Sequence, residues 1–145
     1  RTGFVTQKIG SGLPALVGNV WERLCQTAVS GNQLFGHTWN MARRWWGKVP
    51  VYEEGRKTPI GFDELEFDVV AEAADDRGTI LVGECKWKSA DYADRLLLKL
   101  KAKTQKAPFA QGKNVIYVLF LKEPPLSEAD CRMMLPDEVL KCQPE

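Results

Sequence analysis

Hydrophobic and polar positions divide the chain into segments of two different periods. Leu16, Val17, Val20, Trp21, Leu24, Cys25 and Ala28 recur at helical spacing, which predicts an amphipathic helix over residues 15–30 that ends near Ser30-Gly31, after a Gly-containing lead-in. From Gly31 to Trp46 the pattern is mixed, and the cluster Arg43-Arg44-Trp45-Trp46 is its one marked feature. Val49-Pro50-Val51-Tyr52 reads as a short strand, with Pro50 pointing to a sheet edge. Residues 64–73 then alternate, with Leu65, Phe67, Val69 and Ala71 on one side and Glu66, Asp68, Val70 and Glu72 on the other. Asp75-Asp76-Arg77-Gly78 supplies a turn, and Thr79–Trp87 returns as the second strand of an antiparallel hairpin.

Beyond the hairpin, residues 91–106 carry Tyr92, Leu96, Leu97 and Leu100 at helical spacing among many charges, with Pro108 just past the end. The run Asn114–Leu121 is almost wholly apolar and rich in β-branched and aromatic residues, as expected of a central strand buried on both faces. The tail holds Pro124-Pro125 and a short helical pattern around Ser127–Met134. The expected order is αβββαβ, an α/β fold with a mixed central sheet flanked by helices; such sheets place their sites at strand ends.

Composition narrows the picture. A chain of 145 residues that is 44% hydrophobic suits one globular domain without an internal linker. The formal charge of +1 leaves no global basic field, so any nucleic-acid contact has to come from a local patch. Cys25, Cys85, Cys131 and Cys142 form no C-x-x-C pair, and with His37 as the single histidine they spell no structural zinc site; a reduced, cytoplasmic setting is expected. His37 reads as a local hydrogen-bonding residue. No apolar run approaches the roughly 18–20 residues of a membrane-spanning helix. A start at Arg1 rather than Met suggests a piece of a longer protein.

Candidate chemistry gathers on the hairpin. Residues two apart in a strand share a face, so Glu84 and Lys86 project together from Gly83-Glu84-Cys85-Lys86-Trp87, with Asp68 on the neighbouring strand. Val69, Val70, Ile80, Leu81 and Val82 make these core strands, where charges cost desolvation unless they pair or bind a metal. Paired carboxylates suit magnesium, which takes one or two acidic ligands and leaves room for phosphate oxygens. A lysine beside them can hold and help deprotonate an attacking water or neutralise developing charge. The competing reading is a cross-strand salt bridge, worth about 0.2–1 kcal/mol. No phosphate-binding loop, nucleophile elbow or Cys–His pair appears in the sequence.

Asp68 followed by Glu84-Cys85-Lys86 resembles the PD-(D/E)xK nuclease superfamily, whose signature is an acid on one strand and Glu-x-Lys on the next. Val17-Gly18-Asn19-Val20-Trp21-Glu22, Arg44-Trp45-Trp46-Gly47-Lys48, Glu66-Phe67-Asp68-Val69-Val70 and Gly83-Glu84-Cys85-Lys86-Trp87 look like the nuclease-like domain found C-terminal to archaeal-type AAA+ ATPases, a resemblance covering about residues 15–122. It implies a restriction-endonuclease-like core hydrolysing DNA phosphodiester bonds with Mg2+ or Mn2+. Asp68 and Glu84 would hold the metal, with the Cys85 backbone carbonyl as a further ligand and its thiol on the opposite face, and Lys86 would position the water. Glu22 occupies the place of an additional helix acid in that superfamily; its helical position lies off the apolar stripe, where a solvated Glu is equally expected. Phe67 stands where the superfamily's Pro would be. A fused N-terminal ATPase, a homodimer suited to cutting two strands, and a non-catalytic DNA-docking or regulatory role are the further implications. Arg43-Arg44-Trp45-Trp46-Gly47-Lys48 could contact phosphates and stack bases, although tryptophans packed in the core with arginines at its edge are the simpler expectation. Lys99, Lys101, Lys103 and Lys106 could form a DNA-facing stripe, or merely solvate a helix.

Overall fold

The computed structural model describes residues 13–89 and 91–145, with the side chains of its first helix described from Val17 onward; the side chain of Leu16 and the lead-in before residue 13 fall outside. Helix α1 spans Leu13–Val29, and Trp21, Cys25, Ala28 and Val29 form its buried stripe. Val20, expected on that stripe, is half exposed. A small antiparallel pair follows, β1 (Gln33–Leu34) and β2 (His37–Thr38), turned by Phe35 and Gly36, both at positive φ.

The main sheet has five strands in the order β3-β4-β5-β6-β7: β3 is Arg43–Val51, β4 Gly61–Glu72, β5 Thr79–Lys86, β6 Asn114–Leu121 and β7 Arg132–Met134. The β3/β4 and β4/β5 pairs are antiparallel, while β5/β6 and β6/β7 are parallel. The sheet is therefore mixed. Helix α2 (Ala93–Lys106) carries the chain from β5 to β6, a 3-10 turn (Pro108–Ala110) follows it, and α3 (Pro136–Lys141) closes the chain. No helix among the described residues is long and apolar enough to cross a membrane.

Two cores line the two faces. On one, Trp21, Cys25 and Val29 of α1 and Val139 of α3 pack against Val69, Ala71, Leu81, Cys85, Val118 and Phe120. On the other, Leu96, Leu97 and Leu100 of α2 are buried, and Leu96 and Leu100 pack with Leu65, Phe67, Ile80, Val82, Leu119 and Leu121. Successive β5 residues go to opposite cores, as strand pleating requires. Gly83 is the place on β5 where no side chain fits: an added Cβ would lie 2.6 Å from Phe120 Cε2 and 3.2 Å from Val69 Cβ. Gly83→Ala is expected to cost about 1–3 kcal/mol through overpacking, read as a lower urea midpoint at unchanged slope; wild-type stability would show that β5 and β6 part easily.

Several expectations need correction. The strand expected at residues 49–52 begins at Arg43, so the Arg-Arg-Trp-Trp cluster lies within edge strand β3. The tail pattern around Ser127–Met134 is no helix: Arg132–Met134 is a strand, because Met133 and Met134 point to opposite cores beside β6, and the helix lies later, at Pro136–Lys141. Tyr92, expected among the apolar helix positions, precedes α2, is partly exposed and lies under the Arg95 guanidinium. The order αβββαβ is thus extended by a small hairpin, a fifth main-sheet strand and a third helix. Burial of β6 is complete only over its second half, Val118–Leu121.

The most consequential correction concerns β4. Leu65 and Phe67 belong to the α2-side core, whereas Val69 and Ala71 belong to the α1-side core, although all four were expected on one side. The register explains it. Arg43 pairs with Val70 and Trp45 with Phe67, so the two residues Asp68-Val69 stand opposite the single residue Arg44. This is a β-bulge, whose extra residue reverses the facing of everything beyond it while burial still alternates.

Candidate functional site

The bulge sets the geometry around Asp68. Pairing of β4 with β5 ends at Val69–Gly83, leaving the Asp68 backbone outside that ladder. Two substitutes take over: the Gln26 amide donates to the Asp68 carbonyl at 2.9 Å, and the Cys85 backbone N–H donates to Asp68 Oδ2 at 2.8 Å. A carboxylate thereby occupies the place of a strand partner, pinned against the end of β5.

Helix α1 brings in Glu22. Its anchor is Trp21, whose indole N–H donates to the Phe120 carbonyl at 3.2 Å and whose ring lies 4.9 Å from Trp87. Glu22 follows Trp21 directly and lies one turn before Gln26, so residues of one helix flank meet both the side chain and the backbone of Asp68. Glu22 is half-buried rather than solvated, even though it lies off the apolar stripe.

Glu84 approaches Asp68 from β5 and Glu22 approaches it from α1, each close enough to act on the ionisation of its carboxyl. The three acids therefore meet in series, Glu22 to Asp68 to Glu84. Burial, the largest cause, pushes the Asp68 carboxyl above the usual carboxylate range, and repulsion from Glu22 adds to it; the Cys85 N–H acts in the opposite direction. Glu84 is raised for the same first reason, with the Asp68 charge adding and the Lys103 and Lys86 ammonium groups opposing. Crowded, half-buried carboxylates of this kind retain protons or attract a cation.

Lys86 shares the α2-side face of β5 with Glu84, and among the described residues no carboxylate lies within ion-pair distance of it. Cys85 between them faces the other core, where its thiol meets that of Cys25; burial, first of all, pushes it well above the ordinary thiol range. A structural thiol, not a nucleophile, is the chemical consequence.

Sequence reasoning missed Gln26, and it placed Lys103 only in a candidate DNA-facing stripe, whereas its Nζ lies 3.2 Å from Glu84 Oε2 and donates to the Glu66 carbonyl at 2.6 Å. The available signal was spacing, since Lys103 falls seven residues after Leu96 and three after Leu100, on the inward side of α2. Two other α2 lysines of the expected stripe turn elsewhere: Lys106 pairs with Asp63 at 3.3 Å and Lys101 lies over the Tyr117 ring. Trp45 packs with Phe67 and Phe109, Trp46 is half exposed, and Arg44 pairs with Glu66 at 2.8 Å. His37 Nδ1 lies 3.2 Å from Asp75 Oδ1, at the turn end of the β4/β5 hairpin and away from the end that carries Asp68 and Glu84.

The donor set suits a hard divalent cation, being carboxylate oxygens of Asp68 and Glu84 beside one another. Among the described residues no three acidic, cysteine or histidine side chains converge on one point, so the acids stand in a row rather than a cage.

A family model, DUF234, described as Archaea bacterial proteins of unknown function, matches residues 1–106, and the chain belongs to that family. The matched stretch includes all the residues of the cluster from Glu22 to Lys103. No curated protein and no solved structure matches the chain.

Proposed function

We propose that this DUF234 member is a nuclease-like domain of the PD-(D/E)xK type, with a restriction-endonuclease-like core that hydrolyses DNA phosphodiester bonds using Mg2+ or Mn2+. The observation that carries the reading is the bulge at Asp68-Val69, which leaves Asp68 among Glu22, Glu84 and the Cys85 N–H at the end of a core strand. A salt bridge alone gives no reason for Asp68 and Glu84 to crowd where burial penalises both charges, with Glu22 beside Asp68. Bulges recur beside active sites because they re-aim a side chain.

In this reading Asp68 and Glu84 would hold the metal, and Glu22 and the Cys85 backbone carbonyl would complete the set of ligands. The bound cation would polarise the phosphate and acidify a water. Lys86, on the face of Glu84, would hold and help deprotonate the attacking water or offset the charge forming on the phosphate. Cys85 and Gln26 keep Asp68 in place through its side chain and backbone.

Nicking of supercoiled plasmid with Mg2+ or Mn2+ tests it. Asp68→Ala and Lys86→Ala are each expected to lose on the order of 100-fold or more, and activity unchanged in both would sink the mechanism. One observation favours a second reading, a DNA-docking or regulatory domain attached to an ATPase: the acids meet pairwise, and Lys103 already neutralises Glu84. That role would show as salt-dependent DNA binding without metal-dependent cleavage.

A further inference from the structure

Lys103 is held at three points. Its ammonium contacts Glu84 Oε2 at 3.2 Å, donates to the Glu66 carbonyl at 2.6 Å and lies 4.8 Å from the centre of the Phe67 ring. The first contact is on β5 and the other two on β4, immediately before the bulge. One side chain from α2 therefore joins both strands that supply the acids. The pair is sheltered, with side chains 26% and 17% exposed, whereas the Lys106–Asp63 pair on the same helix is 58% and 45% exposed. Shelter matters because an exposed pair is screened and a partly buried one is not.

We propose that Lys103 is a positioning residue that sets the divalent-cation affinity of the acidic cluster, holding Glu84 through Oε2 and offering only the other oxygen to a metal. The inference rests on the metal-binding reading above. An ammonium fixed by a backbone carbonyl and an aromatic face cannot swing away freely when a cation arrives, so the two positive charges share one carboxylate. Sharing weakens the metal but fixes the carboxylate's orientation, and it leaves room for the phosphate oxygens that a cation caged by protein would lack. A lysine that only tied α2 to the sheet would have no such effect on metal affinity.

Lys103→Met keeps the aliphatic stem and removes the charge, Lys103→Arg keeps the charge, and Lys103→Gln guards against an effect peculiar to Met. Calorimetric titration with Mn2+ is expected to give roughly tenfold tighter binding for Lys103→Met and Lys103→Gln than for wild type, and near-wild-type affinity for Lys103→Arg. Melting in EDTA establishes that each variant is folded. In the plasmid assay the tighter-binding variants should nick more slowly at saturating metal. If wild type binds Mn2+ and the neutral variants bind it equally or more weakly, the inference is overturned while the metal site stands. If no variant, wild type included, binds Mn2+, the metal-binding reading falls and takes the inference with it.

Discussion

Asp68→Asn is expected to abolish metal-stimulated nicking and, at neutral pH, to make the protein more stable. Asparagine keeps the shape and can still accept the Cys85 N–H through its side-chain oxygen, but it carries no charge for a cation to neutralise. Activity should fall by on the order of 100-fold or more. The stability gain follows from the raised carboxyls. Burial first, then repulsion, lets folded Asp68 and Glu84 keep protons at pH values where the unfolded chain has lost them. The native state then binds more protons than the unfolded one, so stability falls as pH rises from about 4, the ordinary carboxylate pKa, through the raised values. Above them the penalty is complete. Asn removes the Asp68 share of it, so the gain should be full near pH 7 and fade as pH falls to about 4. Thermal melts of both proteins across that range provide the measurement. A variant less stable than wild type at neutral pH would mean that the charge of Asp68 fastens the strand end instead of straining it.

Phe67→Ala is expected to have the largest effect on stability, about 3–5 kcal/mol. Phe67 is fully buried, packed edge-on against Phe109 with centroids 5.1 Å apart and against Trp45 at 5.9 Å. The cavity would open next to the bulge, between the sheet and α2. Against a total of about 5–15 kcal/mol for an ordinary domain, such a loss is a large share. Urea unfolding should show it as a fall in midpoint with an unchanged slope. The same substitution removes the aromatic surface beneath Lys103, which frees the ammonium to leave Glu84, so Mn2+ binding is expected to tighten even as stability falls. A loss under about 1 kcal/mol would show that Trp45 and Phe109 close over the gap.

The two substitutions mark the two sides of one trade-off. Phe67 stabilises the strand up to the bulge, and Asp68, the next residue, carries a charge the fold would be better without. Sites that hold crowded charge lower stability and gain when the charge is removed.

What the chain's pattern determined by itself was local. Helix α1, the β4/β5 hairpin with its Asp-rich turn, helix α2 and the apolar strand β6 follow from periodicities of 3.6 and 2, which each segment carries in its own residues. The pairing of Glu84 with Lys86 on one face follows from the same pleat. Strand β7 escapes the pattern because three residues are too few for a period to declare itself. The Arg-Arg-Trp-Trp stretch hides its period because, on an edge strand, Arg43 and Arg44 are both exposed and the apolar Trp46 faces solvent.

The tertiary structure alone decided the site. A bulge keeps burial alternating while exchanging faces, so nothing in residues 64–73 announces that Phe67 and Val69 serve different cores; only the register against β3, with Arg44 opposite Asp68-Val69, reveals it. Glu22 and Lys103 are separated from Asp68 and Glu84 by long stretches of chain, and their approach depends on how α1 and α2 seat on opposite faces of the sheet, through Trp21 on one side and Leu96 and Leu100 on the other. Local sequence fixes which way a side chain leaves its own element. Which charge it meets is decided by packing between elements, and that meeting sets how far each acid is desolvated and what neutralises it.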